Sequence, residues 1–408
     1  MVTHCRICDS TELFKFLNLG FTPPADQFLR PDQLKEAETH YPLEVLMCRG
    51  CGLPQLSYVV PGEILYKRDY PYESSITKSG QKHWDEFAET VFRSYRLKND
   101  DLVVDIGSNV GVLLESFKKL GLNTLGIDPA SNIVRIAEKR GIETWDEFFI
   151  PDVAKLILEK KGFAKVITAT NVFAHVDDLK SFMQSVQVLL DDKGIFIFEA
   201  PYFGNLINFL EYDTIYHEHL SYLLLEPVMQ LVKKFRLEII DVQERDIHGG
   251  SFRVFVAREG QYKIHDRVAK FLEREQNEQW RDEKKLKKFA NRVHQNRQEL
   301  VSLLHDLKQK GCKLAAVSAP AKGMTLLNYC RIGTDTLTFI TEKSNLKIGR
   351  LCPGVHIPVV ADSELVKHHI DYALLLAWNF SDEIMGNLQE YKANGGKFII
   401  PIPKPRII

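Results

Sequence analysis

V-V-D-I-G-S-N-V-G, residues 103–111, decides how the rest of the chain is read. β-Branched residues run into Asp105, followed by Gly107, Ser108, Asn109 and Gly111, and then by the amphipathic run Val112, Leu113, Leu114 and Phe117. That order predicts a strand, a glycine-bearing turn and a helix. Glycine at 107 and 111 permits positive φ and lets a ligand approach the backbone. The helix that follows directs free N–H groups into the same space. Asp105 brings a carboxylate to the end of the strand, so the stretch reads as the seat of a nucleoside cofactor. It lacks the Gly-Lys-Ser/Thr ending of a P-loop. Asn109 also stands where a G-x-G-x-x-G turn needs its middle glycine to admit a pyrophosphate.

The surrounding segments narrow the cofactor. N-T-L-G-I-D at 123–128 ends in Asp128, where the second strand of a nucleotide-binding unit places an acid on ribose hydroxyls. A helix over about 82–96 precedes the opening strand, and a short strand is expected near 143–145. K-V-I-T-A-T at 165–170 is a strand closed by Asn171, and G-I-F-I-F-E at 194–199 is another. Residues 237–243 and 251–257 then follow as two strands joined by 244–250 with no helix between. Five βα repeats closing in a hairpin are the strand plan of class I methyltransferases. S-adenosylmethionine has no phosphate to cradle and suits D-x-G-x-x-x-G. Its expected partners are Asp105, Gly107, Ser108, Asn109, Gly111, Asp128 and Asn171.

The flanks differ in kind. Cys5, Cys8, Cys48 and Cys51 form two C-x2-C pairs in a segment rich in proline and turn residues. Two such knuckles complete a tetrahedral Zn2+ site with no open position, so the metal is expected to be structural. Cys312, Cys330 and Cys352 lie near apolar runs and read as buried small hydrophobes. The linker at 66–80 is dense in tyrosine and serine. It is either a solvated connector or a wall of hydroxyls, with Tyr70 and Tyr72, facing a polar substrate. Phe271, Leu272, Trp280, Phe289, Val293 and Leu300 stand at helical spacing in a charged stretch. A further parallel α/β unit opens at K-L-A-A-V, 313–317, with strands expected at 336–341, 372–378 and 397–401. The fold class is thus α/β. An N-terminal zinc-binding domain (1–68) is followed by a central class I SAM-dependent methyltransferase (Rossmann-like) domain (69–260), a helical connector (261–300) and a C-terminal Rossmann-like α/β domain (301–408).

With 53 basic and 54 acidic residues, the net charge of −1 gives no global field for nucleic acid. No apolar run approaches the ~20 residues of a membrane span. The N-terminus has no signal-peptide pattern, and a reducing cytoplasm is the default for this cysteine usage. Nothing in the sequence sets the oligomeric state, and a monomer satisfies it.

The acceptor chemistry concentrates in I-Y-H-E-H-L-S-Y at 215–222, after A-P-Y-F-G-N at 200–205. Two histidines, a glutamate and a tyrosine just past the fifth strand lie where such folds place substrate loops. H-x-H as a metal pair and a packed polar core are both open readings. The preferred one is acid–base chemistry, because a neutral imidazole near physiological pH is matched to proton abstraction. His175, closing the preceding strand, is a candidate contributor. Lys322, in A-P-A-K-G at 319–323, stands at a helix start, either facing a diphosphate or solvated.

Taken together, the ordered motifs carry a resemblance. The two cysteine pairs, D-Y-P-Y-E-S-S, V-D-I-G-S-N-V-G, Y-H-E-H-L-S-Y, H-G-G-S-F-R-V at 248–254, A-P-A-K-G-M-T-L-L-N at 319–328 and P-G-V-H-I-P-V at 353–359 span nearly the whole chain. The sequence resembles the sugar C-methyltransferases that act at C3 of nucleotide-linked 4-keto-6-deoxyhexoses in branched-deoxysugar biosynthesis. The resemblance implies a C-terminal domain closing on a sugar nucleotide, with dTDP and GDP both open. It implies His219 as the base that makes an enolate, Tyr216 and Glu218 around the sugar, and Tyr70 or Tyr72 near the reacting centre. Tyr202, Asn205, Tyr222, His248 and Lys322 are expected on the acceptor side. Met324 and Glu342 depart from the Asn and Asp expected in the antibiotic-sugar members. An O- or N-methyltransferase on a small molecule is the alternative enzyme, and a zinc-ribbon nucleic-acid binder the alternative class.

Overall fold

The computed structural model describes residues 1–67, 70–74, 78–245 and 250–408, with side chains in the third segment described from residue 81. Its strands form three sheets. The first is antiparallel, β1 (Leu13–Thr22), β2 (Tyr41–Cys48) and β3 (Pro54–Leu56) in that order. Leu43, Val45 and Met47 recur at the period of a strand and are fully buried. They belong to one apolar cluster with Phe196, Phe198 and Leu225 of the central unit. The cysteine-bearing segment therefore borrows its core from its neighbour, as its small size requires.

The second sheet contains β4 (Leu102–Ile106), β5 (Asn123–Ile127), β6 (Thr144–Trp145), β7 (Ala164–Thr170), β8 (Leu190–Pro201), β9 (Leu237–Arg245) and β10 (Ser251–Arg258). Their order is β6-β5-β4-β7-β8-β10-β9. β10 runs antiparallel to both β8 and β9, so the second arm of the closing hairpin read from the sequence is inserted between β8 and the first arm. β4 is buried at every residue, as a central parallel strand covered on both faces must be. The first helix spans Lys78–Ser94, starting earlier than the sequence suggests.

The helical connector consists of Asp266–Glu278 and Glu283–Gln309. The second begins where Asp282 accepts a hydrogen bond from the Lys285 N–H (2.8 Å) and buries Leu286, Phe289, Val293, Leu300, Leu304 and Leu307. That stripe carries the helix past residue 300, so the expected 300/301 boundary falls inside a helix. The third sheet contains β11 (Leu314–Val317), β12 (Ile340–Glu342), β13 (Val359–Ala361), β14 (Tyr372–Leu375), β15 (Lys397–Ile400) and β16 (Arg406–Ile407). Its order is β13-β12-β11-β14-β15-β16, parallel up to the antiparallel edge strand β16. No helix among the described residues is long and apolar enough to cross a membrane.

Candidate active site

The turn after β4 is built around close approach. Gly107 sits at φ +63, and a Cβ there would lie 2.3 Å from Val172 Cγ2, so only glycine fits. At the neighbouring strand ends, the Thr168 hydroxyl donates to Asp105 Oδ1 (2.6 Å). The Asp128 carboxylate accepts from the Asn109 N–H and the Ala130 N–H, both at 2.9 Å. Burial raises the Asp105 carboxyl to about 7 and Asp128 to about 6, against the pull of those hydrogen bonds. Each carboxylate retains acceptor capacity. Ser108 Oγ is buried with no hydrogen-bond partner among the described residues. This set of acceptors and hydroxyls around a glycine cradle fits a ribose and an amino-acid end. Asn171, at φ +57, closes β7 and donates its N–H to the Glu199 carbonyl (2.7 Å).

Asn109 does more than exclude a pyrophosphate. Its Oδ1 accepts from the Ser74 N–H (3.0 Å), and its Nδ2 donates to the Tyr72 carbonyl (3.1 Å). Asn132 holds Tyr70 in the same way, accepting from its N–H (3.2 Å) and donating to its carbonyl (2.9 Å). Two side-chain amides thus fasten the tyrosine linker over the cofactor turn. The two linker tyrosines separate: the Tyr70 hydroxyl donates to Glu218 Oε2 (3.2 Å), while Tyr72 is 44% exposed.

The acceptor cluster converges on His219. His219 Nδ1 lies 2.8 Å from the Thr214 carbonyl, and Nε2 lies 2.8 Å from the Tyr216 hydroxyl. A carbonyl only accepts, so Nδ1 carries a proton; in the neutral imidazole Nε2 then offers its lone pair, with Tyr216 donating to it. His175 packs on His219 with ring centroids 4.9 Å apart and hydrogen-bonds Tyr66 through Nδ1 (3.3 Å). Burial, helped by His219, holds His175 well below the usual imidazole range. Burial and the nearby Asp26 push the Glu218 carboxyl well above the usual carboxylate range, against Tyr70 and Lys347. Burial likewise keeps Tyr66, Tyr70 and Tyr216 protonated. The cleft therefore presents neutral donors beside one basic nitrogen.

Three members were missed in the sequence. Tyr66 stands at the edge of the linker. Asp26 comes from the cysteine-bearing segment and Lys347 from the C-terminal unit, where they pair at 3.3 Å, both almost fully buried. Lys347 also donates to the Ala319 carbonyl (2.8 Å). None has a local motif. The one signal was a buried-type context, F-T-P-P-A-D, around Asp26.

Other expected residues fall elsewhere. Tyr202 packs against Phe252 and Phe271, and Asn205 lies under Gly250. Tyr222 is buried near Arg6 of the first cysteine knuckle, its N–H donating to the Pro54 carbonyl (2.9 Å). His248 lies outside the described residues. Lys322 is half-buried. Its ammonium lies 4.3 Å from the Trp378 ring centroid and hydrogen-bonds Asn379, within electrostatic reach of Asp213 and Glu211. Among the described residues, His217 and His219 belong to no group of three or more metal-type ligands.

That group is Cys5, Cys8, Cys48 and Cys51, whose sulfurs all lie within 4.8 Å of one another. Cys5–Cys51 and Cys8–Cys48 are 3.4 and 3.5 Å apart. A tetrahedron with ~2.3 Å Zn–S arms has edges of about 3.8 Å, so the four thiols fit a structural zinc. Arg281 donates to the Cys51 carbonyl (2.8 Å) and Lys234 to the Ile7 carbonyl (2.6 Å), placing cations around the knuckles.

The fold and these two sites are those of a class I S-adenosylmethionine-dependent methyltransferase with a zinc-binding domain. Residues 5–66 match a zinc binding domain, 81–242 a methyltransferase domain and 246–403 the C-methyltransferase C-terminal domain. Over 408 residues the chain is 34% identical to the C-methyltransferase NovU of Streptomyces niveus, covering 100% of this chain and 97% of that protein. The chain belongs to this family of C-methyltransferases, the one its ordered motifs resemble. A ubiquinone biosynthesis O-methyltransferase of Colwellia psychrerythraea is 30% identical over 103 residues, 25% of this chain and 42% of that protein. Among solved structures, magnesium protoporphyrin IX methyltransferase from Synechocystis with bound SAH aligns at TM-score 0.36 and 14% identity, covering 48% of this chain and 94% of that one.

Two outcomes follow from this geometry. Cys48→Ser should lose zinc, read by elemental analysis, and destabilise the N-terminal sheet; full metal retention would overturn the four-thiolate site. Asp105 titrates above its unfolded value of ~3.9. The cofactor-free protein therefore holds a proton that the unfolded chain releases, and its stability falls as pH rises from about 4 through 7. Asp105→Asn should flatten that fall by an amount on the order of 2–3 kcal/mol between about pH 5 and 7.5. Denaturant titrations of both proteins at each pH would check it, and parallel curves would remove Asp105 as the cause.

Proposed function

We propose that the chain methylates C3 of a nucleotide-linked 4-keto-6-deoxyhexose through an enolate formed by His219. The observation that carries this reading is the fixed tautomer of His219, whose unprotonated Nε2 lies among neutral hydroxyl and carboxyl donors. S-adenosylmethionine supplies an electrophilic methyl on a sulfonium. Asp105, Gly107, Ser108, Asn109, Gly111, Asp128 and Asn171 would hold it, with the linker fastened above by Asn109.

On the acceptor side, His219 Nε2 takes the C3 proton that the adjacent C4 ketone acidifies. The C3–H electron pair becomes the enolate, whose carbon bonds to the methyl as the sulfonium bond breaks to a neutral thioether. Charge developing on the C4 oxygen needs preorganised donors. Neutral Glu218, supported by the Tyr70 hydroxyl, is such a group, and the Tyr216 phenol becomes another once Nε2 has taken the C3 proton, with His175 and Tyr66 behind them. For the nucleotide, a cavity of about 150 Å3 opens at the carboxyl ends of β11, β12 and β14, lined by Ser318 and Glu342 among others. That is where a doubly wound sheet takes a ligand. Branched-deoxysugar biosynthesis in the cytoplasm is the setting this reaction implies.

His219→Ala should keep S-adenosylmethionine affinity by calorimetry and lose turnover by about 10²–10⁴-fold. The assay is a panel of dTDP- and GDP-4-keto-6-deoxyhexoses read by mass, with loss of a C3 deuterium label as the marker of enolisation. Methylation with full label retention would instead support an O- or N-methyltransferase.

A further inference from the structure

We infer that the C-terminal unit, through the helix Ala321–Cys330 and Trp378, sets the position of His219, making Thr325, Trp378 and Asp213 positioning residues for the reaction. This rests on the reading of His219 as the base. Residues 212–215 are anchored one after another. The Tyr212 hydroxyl donates to Asn296 Oδ1 (2.8 Å), and Asn296 Nδ2 in turn donates to the Pro401 carbonyl (2.9 Å). The Trp378 indole N–H donates to Asp213 Oδ2 (2.7 Å). The Thr214 carbonyl accepts from His219 Nδ1 (2.8 Å), and the Ile215 carbonyl accepts from the Thr325 hydroxyl (3.0 Å). Three of the four anchors come from the connector helix or the C-terminal unit, and the fourth is the hydrogen bond that orients the imidazole.

The motif A-P-A-K-G-M-T-L-L-N is consumed by this brace. A Cβ at Gly323 would lie 2.8 Å from Leu376 Cβ, so the glycine lets the helix close onto the end of β14. Lys322 stacks on Trp378 and faces Asp213 and Glu211, giving the buried acids a nearby countercharge. Thr325 is itself buried. A carbonyl that must stay in line with an imidazole N–H tolerates little drift, and misplacement of about 1 Å can cost a base 10²-fold in rate.

The test uses full-length protein with 15N-labelled histidine, the His219 signals being assigned by their loss in His219→Ala. Wild type should show the neutral tautomer protonated at Nδ1. Thr325→Val replaces the hydroxyl with a methyl, and Trp378→Phe removes the indole N–H together with its pyrrole ring. Each should move His219 into exchange between tautomers, with S-adenosylmethionine affinity unchanged. Each should lower kcat by about tenfold or more with little change in acceptor KM. Thr325→Ser should restore both the signal and kcat, which a folding defect would not predict. Unchanged His219 signals in Thr325→Val and Trp378→Phe would overturn the brace, as would a Thr325→Ser that fails like Thr325→Val. A wild-type rate in His219→Ala with the tautomer shift intact would instead sink the base assignment and leave the brace standing.

Discussion

One backbone carbonyl, that of Thr214, decides which nitrogen of His219 carries the ring proton in the neutral imidazole. A carbonyl cannot donate, so the 2.8 Å bond puts the ring proton on Nδ1 and leaves Nε2 as the acceptor in the cleft. The rest of the molecule can be read as what keeps that carbonyl in place. The segment that bears it leaves the end of β8 through a short helix, then crosses between all three sheets. Its far end pairs with the cysteine-bearing unit, where the Leu56 N–H donates to the Leu220 carbonyl (2.9 Å) and Gln55 bridges Ser221. Zinc at the knuckles would therefore stabilise one edge of the acceptor site from a distance.

The same convergence explains how acidic groups survive in a dry cleft. Glu218, Asp26 and Lys347 come from three different units, and burying two carboxylates beside one ammonium leaves one charge too many. The least costly arrangement protonates one acid, and Glu218 is the more deeply buried of the two. A neutral carboxyl supported by Tyr70 is a donor, whereas an ionised one would repel an enolate. Domain assembly thus determines the chemistry of Glu218 as much as its immediate neighbours do.

The legible parts of this molecule are those whose physics is local. The 103–111 turn, Asp128, the closing hairpin and the paired cysteines each need particular residue types at fixed spacing, so the sequence carries them openly. Y-H-E-H stood out as a dense run of titratable groups for the same reason. Asp26, Tyr66 and Lys347 were not, because their role exists only once distant loops meet. Lys322 stayed open in the sequence because a lysine at a helix start looks the same whether the helix faces a phosphate or a neighbouring domain. The 300/301 boundary falls inside the connector helix because Leu304 and Leu307 continue its apolar stripe beyond Leu300.

The central and C-terminal sheets solve one problem in the same way and then diverge. Each needs an acid at the tip of its second strand to hold the loop after its first. Asp128 takes the N–H groups of Asn109 and Ala130, and Glu342 takes those of Ala319 (2.9 Å), Lys343 (2.7 Å) and Ser344 (3.2 Å). Both first loops pass through left-handed backbone, at Gly107 and Asn109 in one and at Ser318 in the other. Glu342, where Asp is expected, thereby reaches Ala319 in the loop after β11 while also accepting from the two residues that follow it. What differs is the next helix. After Gly111 it leaves the turn open beneath a tied linker, whereas after Pro320 it is drawn onto Leu376 and Ile215. The helix start of the C-terminal unit packs against its neighbour, while the cavity of this unit lies on the other side, at Ser318 and Glu342.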